Sequence, residues 1–255
     1  MSNSSHSSKT TQLFGWQILT QKKTEFWAEL VVKLTQPVSQ LLTIFTPNPE
    51  IVMQGQADET FHQIIASADY LIPDGVGLVW ASRRLDGGAH PIPERIAGVD
   101  LVSDLVELAA TKNWPCLIIG GRNYAASLGT LPGQANWVSG FDDVRRPTEL
   151  ETEQILSELQ RLKPKFVFVA LGAPFQETWI VAHKQVLESA GVKLAMSVGG
   201  TFDYLLGKVA RAPVWLRNLG LEWLFRLITQ PWRLGRQLAL IKFWWLVQFG
   251  RPKTI

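Results

Sequence analysis

The chain has 255 residues, 46% of them hydrophobic, and a formal net charge of +3. That length and apolar content allow a large buried core and exclude a disordered chain. A single cysteine, Cys116, rules out an internal disulfide, and His6, His62, His90 and His183 stand too far apart for metal-ligand spacing, so no structural metal is expected.

Residues 1–12 are polar, begin Met1-Ser2-Asn3-Ser4-Ser5, and lack the hydrophobic stretch of a signal peptide, so they read as a flexible tail. From residue 41 onward, apolar runs of strand length alternate with helical patterns. Spans 41–45, 71–72, 115–119, 137–141, 166–171 and 193–198 read as strands, each bounded by Gly, Pro, Asn or Asp. Cys116 falls inside one of these runs, as a small buried hydrophobe would. Spans 49–68, 98–112, 148–162 and 176–190 have the spacing of amphipathic helices, and a further helix runs through Leu78, Val79 and Trp80. This alternation predicts right-handed crossovers and an α/β fold: a doubly wound, Rossmann-like parallel sheet flanked by helices, over residues 13–205.

Residues 206–255 have a different texture. From Tyr204 to Ile255 nine basic residues face one acid, Glu222, giving +8 there and −5 in the remainder. Trp215, Trp223, Trp232, Trp244 and Trp245 are interleaved with them, and Pro213 and Pro231 divide the segment into two or three helices. Its longest apolar run, 238–247, is shorter than the roughly 20 residues needed to span a bilayer. Cations among indoles suit a membrane interface better than nucleic acid, for which no module is present, so a helical appendage lying on a membrane surface is expected.

In an open parallel sheet, ligands sit beyond the carboxyl ends of the strands, so the loops there matter most. Pro73-Asp74-Gly75-Val76-Gly77 places a carboxylate at such an end: Asp74 suits a general base, or equally an N-cap of the helix that follows. In Thr46-Pro47-Asn48-Pro49-Glu50, hydroxyl and amide groups suit a sugar, while Asn48 also suits a helix cap. Gly120-Gly121 would let backbone N–H groups cradle a pyrophosphate, without the G-x-G-x-x-G pattern of dinucleotide binders. Arg95 suits a phosphate or a solvated pair with Glu94. Gln176 and Glu177 open a helix, and Asp203 closes Gly199-Gly200-Thr201-Phe202-Asp203, a segment that turn chemistry also explains. Asp142-Asp143, beside Arg145 and Arg146, reads as a solvated loop and not as a metal site.

Taken in order, these segments resemble the WecG/TagA/CpsF glycosyltransferases. The text that carries the resemblance is Thr46-Pro47-Asn48-Pro49-Glu50, Pro73-Asp74-Gly75-Val76-Gly77, Pro93-Glu94-Arg95-Ile96-Ala97-Gly98, Leu171-Gly172-Ala173-Pro174-Phe175-Gln176-Glu177, Gly199-Gly200-Thr201-Phe202-Asp203, and Arg211-Ala212-Pro213 through Leu219-Gly220-Leu221-Glu222-Trp223. It implies inverting transfer of N-acetylmannosamine or a related N-acetylated hexosamine from UDP to a polyprenyl-diphosphate-linked sugar, with no metal or other cofactor, at the cytoplasmic face of the membrane. By the same resemblance Asp74 is the general base and Thr46 its catalytic companion. Asn48, Arg95, Gly120, Gly121, Gln176 and Asp203 are substrate-binding residues, and Arg217, Arg226 and Arg233 serve the diphosphate. Two departures stand out: Arg122-Asn123-Tyr124 follows Gly120-Gly121 where the family often has another glycine, and 86–90 is longer than usual.

Two other readings compete, a non-catalytic nucleotide-sugar-binding scaffold and an NAD-dependent sugar oxidoreductase; the missing dinucleotide fingerprint weighs against the latter. The glycosyltransferase reading requires Asp74, Thr46 and Gln176 to meet in one cleft beside the terminal helices.

Overall fold

The computed structural model describes residues 9–37, 40–85, 90–218, 222–229 and 234–250, without the side chains of residues 218, 226 and 234–237. The strands are β1 (Thr10–Leu13), β2 (Trp16–Leu19), β3 (Leu42–Phe45), β4 (Tyr70–Leu71), β5 (Cys116–Gly120), β6 (Ala135–Val138), β7 (Phe166–Ala170) and β8 (Leu194–Ser197). Around them lie helices α1 (Lys23–Thr35), α2 (Pro49–Ala57), α3 (Glu59–Ala66), α4 (Val76–Leu85), α5 (Gly98–Thr111), α6 (Glu149–Leu162), α7 (Phe175–Ala182), α8 (Lys184–Ser189) and α9 (Thr201–Leu205). The C-terminal segment adds α10 (Val214–Asn218), α11 (Glu222–Thr229) and α12 (Leu234–Phe249).

One sheet runs β1-β2-β4-β3-β8-β7-β5-β6, with β1 and β2 antiparallel and every other pair parallel. The expected Rossmann-like α/β sheet is thus observed. Strand alternation divides the core into two layers. Phe45, Leu117, Ile119, Val167, Val169 and Ala195 face α2, α3, α4, α6, α7, α8 and α12. Ile44, Cys116, Ile118, Phe166, Phe168, Leu194 and Met196 face α1, α5 and α9. Helices on both faces explain why the strands read as unbroken apolar runs. Burial pushes the Cys116 thiol up to about 12, as befits a core residue.

Four boundaries differ from the expectation. The tail expected over 1–12 ends earlier, because Thr10–Leu13 pairs with Trp16–Leu19 through a turn at Phe14 and Gly15, both at positive φ (59° and 85°). Leu13, Phe14, Trp16 and Ile18 are all buried, which fixes the hairpin to the body. The helix expected over 49–68 breaks at Asp58, whose carboxylate accepts from Phe61 N (3.1 Å) and so starts α3 as a new N-cap. Span 176–190 similarly divides at His183. The strand expected over 137–141 lies at Ala135–Val138, in parallel register with β5, and Gly140 beyond it turns at φ +77°. The appendage expected over 206–255 is not merely attached: α12 packs on α2 and α4 and sends Phe243 and Val247 into the core.

Candidate active site

The loops after β3, β4, β5, β7 and β8 border one cavity of about 810 Å³ at the carboxyl end of the sheet. It is built from two sides and closed by a third element.

The first side comes from β3 and β4. Ile72 N donates to Phe45 O (2.9 Å), Asp74 N to Pro47 O (3.1 Å) and Ile96 N to Pro73 O (3.0 Å), so three loops are zipped together by backbone bonds. Thr46 is buried and Asp74 half-buried, and both abut the start of α5. A methyl group added at Gly98 would stand 3.7 Å from Thr46 Cγ2 and 3.8 Å from Asp74 Oδ2. Asn48 also lines the cavity, while its Oδ1 accepts from Ile51 N (3.1 Å) as the cap of α2. Gly77 lets α4 lie against α2, since a Cβ there would fall 2.7 Å from Pro49 Cγ.

The second side comes from β5, β7 and β8. Gln176, 4% exposed, accepts through Oε1 from both Gly172 N (3.2 Å) and Gly199 N (3.0 Å) and donates from Nε2 to Glu177 Oε1 (2.8 Å). Burial raises the Glu177 carboxyl above the usual carboxylate range, against the lowering effect of Gln176. Asp203 accepts from the Tyr124 hydroxyl (2.9 Å), and its other oxygen lies 3.6 Å from Arg122 Nε. Burial and the neighbouring Asp203 together push the Tyr124 hydroxyl up. Gly121, at φ +78°, leaves room for Tyr124: a Cβ there would lie 2.5 Å from the hydroxyl oxygen.

The third element is α12, whose Leu238, Ala239 and Lys242 line the cavity opposite Glu50, Met53 and Gln54 of α2. Phe243 anchors it, 5.4 Å from the Phe14 ring and 6.4 Å from that of Trp80. Two ion pairs fasten the preceding segment: Arg95 Nη2 to Glu222 Oε2 at 3.0 Å, and Arg211 Nη1 to Asp100 Oδ1 at 2.6 Å. Burial raises the Asp100 carboxyl, but Arg211, Lys23 and Arg217 together hold it below its ordinary range.

The cavity therefore gathers Thr46, Asn48, Asp74, Gly121, Gln176 and Asp203. Gly120 is not in its lining: φ is +81°, a Cβ would meet Leu171 Cδ2 at 2.6 Å, and its carbonyl accepts from Trp137 Nε1 (2.8 Å), so its role is packing. Nor does the Gly120-Gly121 pair open an α-helix; a 3-10 turn, Ala125–Thr130, follows. Arg95 is also absent from the lining, its guanidinium being committed to Glu222, and Arg217 sits half-buried near Asp100. Arg233 and the Arg226 side chain lie outside the described residues. In the sequence Lys242 is only one of the basic residues of the C-terminal segment, because no pattern joins a distant helix to the strand ends. Tyr124 and Arg122 were visible only as departures in a strand-end loop.

The model of the WecG/TagA/CpsF glycosyl transferase family matches residues 11–254 of the chain. The chain belongs to this family. Similar proteins are the N-acetylglucosaminyldiphosphoundecaprenol N-acetyl-beta-D-mannosaminyltransferases of Staphylococcus aureus strains MRSA252 and NCTC 8325, each 30% identical over 213 residues, 83% of this chain and 82% of the relative. As a WecG/TagA/CpsF protein the chain is a glycosyltransferase, and the cavity at its strand ends is the place to seek the transfer.

Proposed function

We propose that this glycosyltransferase moves an N-acetylated hexosamine, N-acetylmannosamine in the first instance, from a UDP donor to a sugar carried on a polyprenyl diphosphate, with inversion. The observation that carries the reading is the convergence of Asp74 and Thr46 on the start of α5, inside the cavity that Gln176 and Asp203 also line. The names of the Staphylococcus aureus relatives support the sugar and the acceptor.

In this reaction the acceptor hydroxyl oxygen bonds to the anomeric carbon as the bond from that carbon to UDP breaks. The hydroxyl proton passes to Asp74, and the electron pair leaves with UDP. Negative charge grows on the diphosphate, so cations and helix N-termini must face it. Lys242 and Arg122 in the cavity wall and the N-termini of α2 and α7 fill that role. No metal enters the proposal: Asp203 is engaged by Tyr124 and Arg122, and among the described residues no three carboxylate, His or Cys side chains cluster to hold one.

A lipid-linked acceptor of the kind named for the relatives supports a reaction at a membrane surface, and the proposal sets it on the cytoplasmic face. Among the described residues no helix is long and apolar enough to cross a membrane. Val214, Trp215, Trp223, Ile228, Leu238, Ile241, Trp244, Trp245 and Phe249 are nevertheless exposed, all in α10 to α12, as a surface lying on lipid requires.

The test is sugar transfer by purified protein from a panel of UDP-sugars to N-acetylglucosamine on a short-chain polyprenyl diphosphate, with and without EDTA. Product from a UDP-N-acetylhexosamine at a rate indifferent to EDTA is expected. Absence of product from every UDP-sugar, together with a rise in melting temperature on adding NAD, would transfer the assignment to the oxidoreductase reading.

A further inference from the structure

The floor of the cavity is held by a buried polar arrangement that the transfer chemistry itself does not use. The turns after β7 and β8 each contain a glycine in the left-handed region, Gly172 at φ +77° and Gly199 at φ +51°, and each aims its N–H at the same acceptor, Gln176 Oε1. An amide has a carbonyl end and an NH2 end of nearly the same shape, so its orientation is set by its partners. Two backbone donors on the oxygen oblige the NH2 end to find an acceptor elsewhere, and Glu177 Oε1 receives it at 2.8 Å.

Glu177 is fully buried, which is uncommon for a carboxyl group. Its second oxygen makes no hydrogen bond within normal distance, and neither does the buried hydroxyl of the neighbouring Ser197. Burial raises the Glu177 carboxyl above the ordinary carboxylate range, while Gln176 and the nearby Ser197 hydroxyl pull the other way.

We propose that Glu177 is a positioning residue: by accepting from Gln176 it locks that amide, and through it the Gly172 and Gly199 turns, into the shape that receives the donor. The inference rests on the cavity being the donor site, but the lock itself does not depend on which donor is used.

Two measurements test it. The first needs no substrate: hydrogen exchange of the Gln176 side-chain amide protons by NMR, their signals assigned by loss in Gln176→Ala. Protection is expected in the wild type and in Glu177→Gln, where a neutral isostere keeps an acceptor, and rapid exchange in Glu177→Ala. The second is a steady-state titration of UDP-N-acetylhexosamine at saturating acceptor. Glu177→Ala is expected to raise the donor KM about tenfold with kcat changed less than about threefold, and Glu177→Gln to bring KM back to within about twofold of wild type. Unprotected Gln176 amide protons in the wild type would overturn the lock, whatever the donor proves to be. A wild-type donor KM in Glu177→Ala, or equal damage in both variants, would remove Glu177 from the positioning role. Should Glu177→Ala not fold, Glu177→Leu, which fills the same space without an acceptor, takes its place in both measurements. Loss of turnover on UDP-sugars in the wild type, with the amide protected, would count against the donor and leave the lock standing.

Discussion

The two sides of the cavity are built differently although both are strand-end loops of one sheet. On the side of β3 and β4, backbone bonds between loops do the holding, and the Thr46 methyl and an Asp74 carboxylate oxygen both border the start of α5. On the side of β5, β7 and β8, side chains do the holding: Gln176 spans two turns, and Tyr124 fixes one oxygen of Asp203. The contrast teaches a division of labour, in which the first side offers chemistry and the second offers shape. It follows that substitutions on the first side belong in kcat and those on the second in donor binding.

The largest expected effect breaks the first side. Asp74→Asn keeps the size of the side chain and removes the base, so kcat falls by roughly 100-fold or more while UDP affinity, read by titration calorimetry, stays close to wild type. Unchanged turnover would move the base to another residue. An equal loss of UDP affinity would erase the distinction between the two sides.

A second experiment asks how both sides meet their lipid-borne acceptor. Trp244 and Trp245 on α12 are about half exposed, 47% and 57%, while Phe243 between Phe14 and Trp80 fastens the same helix. An indole buries roughly 150–250 Å² when fully covered, so partial immersion of the pair contributes on the order of 3 kcal/mol. Trp244→Ser with Trp245→Ser should therefore cut partition onto anionic liposomes by more than about tenfold, measured by sedimentation, with an unchanged thermal midpoint. Undiminished sedimentation would remove α12 from the membrane surface.

The sequence made the sheet legible because strands buried on both faces must be continuously apolar, and 166–171 and 115–119 could be little else. Asp74, Thr46 and Gln176 were legible for a related reason: a parallel sheet sends every strand end to the same edge. What the sequence hid depends on contacts between distant segments. Arg95 reads as a phosphate ligand until Glu222, 127 residues away, is found holding it. Gly120 reads like Gly121, yet only its neighbour Leu171 in space reveals it as a packing position. The β1–β2 hairpin was concealed in a polar start, since β1 holds a single apolar residue, Leu13, and the turn rests on Phe14, an unusual residue at positive φ.

The smallest expected effect sharpens the second side. Tyr124 is packed against Trp137 and Phe202, with ring centroids at 6.3 and 6.2 Å, so Tyr124→Phe keeps the ring in place and deletes only the donor to Asp203. Hydrogen bonds to charged groups contribute about 1.5–3 kcal/mol, but the Asp203 carboxylate keeps Arg122 nearby and is partly open to water, so only part of that is lost. Freed of Tyr124, Asp203 turns toward Arg122 and presents its oxygens less sharply to the cavity. The donor KM should rise about three- to tenfold with kcat nearly constant, in a steady-state titration at fixed acceptor. A fall in kcat at constant KM would show that Asp203 acts in the chemistry, and the second side would then do more than shape the cavity.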